Sequence, residues 1–269
     1  MFEFGFIGCG NMGGALARAV AKTVSGEALL FCDASIEKAN ELAAQFGAKA
    51  TANAGDVAKN CRFIFLGVKP QGFDTLFTSI SDVLKARDDS FVLITMAAGV
   101  TTDRVQALAG VACPIIRIMP NTPVSVGEGM ILYCANALVD EESLNKFRTA
   151  LSFAGRLDPI PEDKIDAASA VSGCGPAFVY LFAEALADGG VECGLPREKA
   201  LLYAAQTLKG AAELLLATGK HPGELKDAVC SPGGTTIAGV HALEDCGFRS
   251  ASMNAVTAAY ERTLELKKS

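Results

Sequence analysis

Two short runs rich in glycine hold most of the chemistry this sequence can do. The first, Gly8-Cys9-Gly10-Asn11-Met12-Gly13, spells GxGxxG between an apolar run, Phe2 to Ile7, and a helical pattern from Ala15 to Val20. In that setting each glycine has its own duty: Gly8 permits a tight turn, Gly10 lets the backbone approach a pyrophosphate, and Gly13 lets the helix pack on the strand. The amides at the helix start then face the anion. The competing reading is an ordinary glycine-rich turn. The second run, Ser231-Pro232-Gly233-Gly234-Thr235-Thr236, precedes a helical stretch reaching to about Asp245. Gly233 and Gly234 leave the backbone uncovered where a helix begins, so free amides and the positive end of the helix dipole suit a carboxylate. From the residues alone, the alternative is a glycine loop with Thr235 or Thr236 as a helix N-cap.

Other candidates fall around the first run. Asp33 lies roughly twenty residues beyond the last glycine, where an acidic side chain favours the free 2′-hydroxyl of NAD. Ser35, Lys38 and Asn53 are nearby groups suited to the 2′-phosphate of NADP, so the residues leave the two cofactors open. Asp33 also reads as a helix N-cap. Val68-Lys69-Pro70, Met96-Ala97-Ala98-Gly99-Val100 and Met119-Pro120-Asn121-Thr122-Pro123 each follow a strand-like run, and ligands of open α/β sheets bind beyond the carboxyl ends of strands. Lys69 has two readings, contact with ribose or organisation of loop carbonyls. His221 precedes a proline and His241 lies on a helical stretch, so both read as structural; two histidines without matching acidic spacing make no metal site.

These loops need a frame, and the order of elements supplies it. Short apolar runs at Phe2 to Ile7, Leu29 to Cys32, Phe63 to Val68, Phe91 to Thr95 and Ile115 to Met119 alternate with helical patterns. Further extended pieces are expected at Met130 to Cys134 and Arg156 to Pro161. This pattern predicts an α/β fold, a Rossmann-type doubly wound parallel sheet covered by helices on both faces, over residues 1–160. Residues 161–269 turn alanine- and leucine-rich and predict an all-helical second domain, with one helix from about Pro176 to Ala187 and another from Pro196 to near Gly219. The second of these is apolar on more than one face around Leu201, Leu208 and Leu214 to Leu216, which points to a homodimer with an intertwined helical core. Burial against the first domain is the alternative.

Composition narrows the partners. The 269 residues are half hydrophobic, enough to bury roughly three quarters of the surface of one large or two modest domains. A net charge of −6 supplies no positive field for nucleic acid or anionic membranes. The N-terminal run carries Glu3 and is broken by glycines, and the run from Ala167 to Ala183 is broken by Gly173, Gly175 and Pro176, so neither reads as a membrane helix. Nine cysteines without a CxxC pair read as reduced thiols of a cytoplasmic protein.

Taken with VKP, AAGVT, MPNTP, SGCGPA and the His221-Pro222-Gly223-Glu224-Leu225-Lys226-Asp227 stretch, the SPGGTT run closely resembles the pyrroline-5-carboxylate reductase family over essentially the full length. The resemblance implies NADPH, or NADH, as hydride donor, 1-pyrroline-5-carboxylate as substrate and L-proline as product. It also implies that the substrate carboxylate meets Ser231 and the amides of Gly234 and Thr235, while the Thr236 hydroxyl reaches the ring nitrogen. The Ser172-Gly173-Cys174-Gly175-Pro176-Ala177 turn is implied to contact the nicotinamide end. Many relatives carry serine at position 174, and Cys174 is the weaker hydrogen-bond donor. A hydroxyacid dehydrogenase of similar two-domain plan would need a lysine near the start of the first long helix to move the hydroxyl proton; Val179 stands there. A module that senses NAD(P) without turnover would have no reason to keep Ser231 through Thr236.

Overall fold

The computed structural model describes residues 1–266. Strands and helices alternate through the first part: β1 (Phe2–Ile7), α1 (Asn11–Val20), β2 (Leu29–Cys32), α2 (Ile36–Ala44), β3 (Lys49–Thr51), α3 (Ala54–Asn60), β4 (Cys61–Leu66), α4 (Phe73–Lys85), β5 (Val92–Thr95), α5 (Thr102–Ala109) and β6 (Ile115–Met119). Then follow β7 (Gly129–Ala135), α6 (Glu141–Ala150), β8 (Gly155–Pro159) and a helical remainder: α7 (Ile165–Ser172), α8 (Gly175–Glu192), α9 (Arg197–Thr218), α10 (Pro222–Val229), α11 (Thr235–Asp245) and α12 (Phe248–Leu266).

The strands form one sheet in the order β3-β2-β1-β4-β5-β6-β7-β8. Its two faces carry separate apolar clusters, one built on Phe4, Phe6, Phe31, Phe63 and Phe65, the other on Ile7, Leu30, Ile64, Leu66 and Leu93. Side chains alternate across a strand, so a run apolar at every position fills both faces at once, which is why these strands read as continuous rather than alternating. Phe6 stacks on Phe65 with ring centres 4.5 Å apart, and Phe4 on Phe63 at 5.1 Å, locking β1 to β4 in register.

One expectation fails. The sheet is not parallel throughout: β7 runs antiparallel to β6, with Ile118 opposite Tyr133, and β8 is parallel to β7. Only residues 120–128 join β6 to β7, too few for a parallel crossover, which needs a dozen or more. The edge strand β3 was not anticipated; three residues, Lys49 to Thr51, are too short to show a periodicity.

The chain divides into two compact units, Met1–Gly173 with the described end of α12 from Tyr260, and Cys174–Ala259. In the second, Pro176 sits in the first turn of α8, and α9 stops at Gly219, whose φ of +61° gives a left-handed C-cap. Residues 162–192 are by length and composition long and apolar enough to cross a membrane, but a break at Gly173–Cys174 separates α7 from α8 within them. Among the described residues of this unit the buried apolar side chains are three alanines, Ala187, Ala200 and Ala204. Leu202, Tyr203, Leu214 and Leu216 of α9 are more than half exposed.

Candidate active site

The chain passes from β1 outward to β2 and β3, then returns to place β4 on the other side of β1, so the topological switch lies between β1 and β4. Crevices for ligands open at such a point. Gly8 ends β1 there with a φ of +103°, and a Cβ on it would lie 2.6 Å from the backbone of Gly67, which follows β4. Gly13 sits just as tightly, since a Cβ would strike the carbonyl of Gly8. Gly10 is different: a Cβ there meets no protein atom within 4 Å. The chain itself does not require glycine at 10, and the open space at the uncapped start of α1 fits a pyrophosphate. Gly67 was not singled out from the sequence; its place just after the β4 run was the available signal.

Asn11 and Met12 open α1, Asn11 exposed and Met12 packed against the aromatic cluster. The amide of Cys9 donates to Oδ2 of Asp33 at 2.7 Å, and the amide of Ser35 donates to Oδ1 at 3.0 Å. Asp33 is therefore not the N-cap of α2. Ser35 holds that position, and its hydroxyl donates to Glu37 at 2.7 Å instead of capping. Burial, with Asp33 beside it, pushes the Cys9 thiol up to about 12, so it remains a neutral thiol beside the loop. Asn53 caps α3, its Oδ1 accepting the Gly55 amide at 2.8 Å.

The other strand tips reach the same edge. Val68, Lys69 and Pro70 follow β4; Lys69 is exposed, and among the described residues its ammonium bonds no carbonyl and no carboxylate. Ala97, Ala98 and Gly99 follow β5 in a turn closed by the Val100 amide on the Ala97 carbonyl at 3.3 Å, with Gly99 at a φ of +76°. Asn121 is a strut. Its Nδ2 donates to the Ser172 carbonyl at 2.9 Å and its Oδ1 accepts the Met130 amide at 2.9 Å, because the chain must be tied where it doubles back between β6 and β7.

In the second unit, the Ser231 to Thr236 run is a turn followed directly by α11. Gly233 has a φ of +68°, and Gly234 is the N-cap, in extended conformation and with no side chain to cap with. The alternative that Thr235 or Thr236 caps the helix is thus overturned. The Gly234 amide donates to the Ser231 carbonyl at 3.0 Å. The amides of Thr235, Thr236 and Ile237 find no acceptor among the described residues, and Ser231, Thr235 and Thr236 are all exposed. The turn thus engages the Gly234 amide, one of the two expected to meet a carboxylate. His221 caps α10 by accepting the Gly223 amide at 3.1 Å, and His241 lies 3.2 Å from the Asp245 carboxylate. No group of metal-binding side chains occurs among the described residues. Cys174, half-buried, is the residue before α8.

Comparisons with known proteins agree along the whole chain. Residues 162–266 match the family described as pyrroline-5-carboxylate reductase dimerisation, and residues 3–99 match the family described as NADP oxidoreductase, coenzyme F420-dependent. A pyrroline-5-carboxylate reductase of Escherichia coli (strain K12) is 40% identical over 270 residues, covering 99% of each chain. The solved structure of such a reductase from Coxiella burnetii superposes with a TM-score of 0.90 at 32% identity, covering 98% of each chain. A pyrroline carboxylate reductase of Plasmodium falciparum with NADP bound gives 0.86 at 34% identity, covering 97% of each.

Proposed function

The chain belongs to the pyrroline-5-carboxylate reductase family, and from that membership we infer that it reduces 1-pyrroline-5-carboxylate to L-proline with NADPH, the last step of proline biosynthesis. The observation that carries the site assignment is the start of α11, where consecutive amides lie free behind a glycine turn. A helix start of that kind holds a carboxylate.

When bound, the cofactor supplies a hydride to the imine carbon, C2 of protonated 1-pyrroline-5-carboxylate, which becomes C5 of proline. An iminium carbon is already electrophilic, so the protein's task is to bind and orient rather than to supply a strong acid or base. We assign the substrate carboxylate to the Ser231 hydroxyl and the amides of Thr235 and Thr236, with Gly233 and Gly234 leaving room for it. The Thr236 hydroxyl accepts the N–H of the iminium and fixes the ring orientation. The dinucleotide is assigned to Gly8 through Gly13, with its adenosine end toward Asp33, Ser35 and Asn53 and its other half along Val68 to Pro70 and Ala97 to Gly99. Asn121 is assigned to the same cofactor edge, its amide held by bonds to two backbone atoms.

The second unit supports a homodimer, because its exposed leucines and tyrosines have only a small alanine core beneath them. A cytoplasmic setting is supported by cysteines that are all free thiols. Steady-state oxidation of NADPH and of NADH by pyrroline-5-carboxylate, side by side, tests the reading. Turnover with NADPH, and proline as product, is expected; a folded protein that binds NADPH without turnover would make it a sensing module.

A further inference from the structure

Thr102 opens α5, so its amide is one that no helical carbonyl reaches. It donates to Oε1 of Glu162 at 2.8 Å, and the Thr102 hydroxyl donates to Oε2 at 2.7 Å. One carboxylate sixty residues away in sequence thus closes the first turn of α5, where the helix dipole also favours a negative charge. Behind it, Arg117 of β6 is fully buried. Its Nη1 donates to Glu162 Oε1 at 3.3 Å and its Nη2 to Asp166 Oδ1 at 3.0 Å, while its Nε has no partner among the described residues. A guanidinium so buried is held in place by those two carboxylates.

The segment directly before Thr102 is the Ala97–Thr101 loop at the carboxyl end of β5. Its first end is anchored by the strand, with the Ala97 amide on Thr95 Oγ1 at 3.4 Å; its second end is anchored at Thr102. We propose that Glu162, oriented by Arg117, is a positioning residue for the cofactor. By pinning Thr102 it sets the Ala97–Thr101 loop against which the dinucleotide lies. The inference rests on the assignment of that loop to the cofactor site.

Calorimetric titration of the full chain with NADPH tests it, alongside the melting temperature of the protein without cofactor. Glu162→Gln keeps the shape and removes the charge, and is expected to weaken NADPH about tenfold, the low end for one hydrogen bond to a charged group. Thr102→Val, which removes only the hydroxyl, is expected to weaken it about threefold, and Thr102→Ser to restore the parental value. The double variant Glu162→Gln with Thr102→Val should be no weaker than Glu162→Gln within a factor of about two, since both remove one contact. The imine KM at saturating NADPH should stay within the same factor. A folded Glu162→Gln protein with parental NADPH affinity overturns the proposal, provided that Gly10→Val loses affinity in the same assay. If Gly10→Val also binds normally, the cofactor-site assignment falls and takes the proposal with it. Should Glu162→Gln not fold, the comparison of Thr102→Val with Thr102→Ser decides: equal affinities overturn the proposal.

Discussion

Asp33 accepts the backbone amide of Cys9 at 2.7 Å, tying the tip of β2 to the glycine loop that follows β1. The carboxylate thus shapes the cofactor loop from the protein side, whatever it touches on the ligand. Asp33→Ala should raise KM for both cofactors, because the loop loses its anchor. The rise should be larger for NADH, because a negative charge next to the 2′-position opposes a phosphate and favours a free hydroxyl. Steady-state kinetics with each cofactor checks this; a changed preference with no loss of NADPH affinity would remove the anchoring role.

Gly10 faces open space, so a larger side chain there meets no protein atom and would intrude on the pyrophosphate we assign to this loop. Gly10→Val should leave the melting temperature nearly unchanged and raise the NADPH KM by an order of magnitude or more. The same substitution at Gly8 or Gly13 should instead destabilise the fold, since each would strike backbone atoms. Thermal unfolding of the three variants separates the two outcomes.

The contrast among these three glycines also shows how far the sequence was legible. GxGxxG between a strand and a helix is a local pattern, so its place and the tight packing at Gly8 and Gly13 could be read directly, and the same holds for the apolar strands and for the place of the glycine turn before α11. What could not be read depends on contacts between distant segments. The antiparallel β7 follows from a connection length that only the final pairing makes decisive. The bridge that the Asn121 amide makes between Met130 and Ser172 is one such contact. Glu162 and Thr102 are unremarkable as residue types, and only the folded chain brings one to cap the other.

Arg87 is nearly enclosed, donating to the carbonyls of Ala58 and Cys61 and pairing through two bonds of 2.7 Å with Asp89. That bonding to Arg87 holds the Asp89 carboxyl below the usual carboxylate range. A depressed folded-state pKa adds stability that is complete above the unfolded value of about 3.9 and is lost as pH falls through the folded one. Asp89→Asn should therefore be less stable than the parent at neutral pH, and the gap should close on acidification below pH ~3. Denaturant titrations at several pH values test the sign; a gap that widens in acid contradicts it.

The exposed apolar side chains of α9 predict that the protein stays at least dimeric on dilution and that separated subunits lose stability. Sedimentation across a concentration series, with unfolding followed in parallel, checks this. An active and fully stable monomer would contradict it.

We assign the imine to the turn before α11, with the Thr236 hydroxyl on the ring nitrogen. The kcat/KM of Thr236→Val for pyrroline-5-carboxylate tests it most directly, because valine keeps the branched shape and removes the hydroxyl. One hydrogen bond to a charged group is worth roughly 1.5 to 3 kcal/mol, so kcat/KM should fall about ten- to a hundredfold while NADPH affinity stays at the parental value. Parental kcat and KM in the folded variant would contradict the assignment and leave Thr236 as a structural residue of the turn.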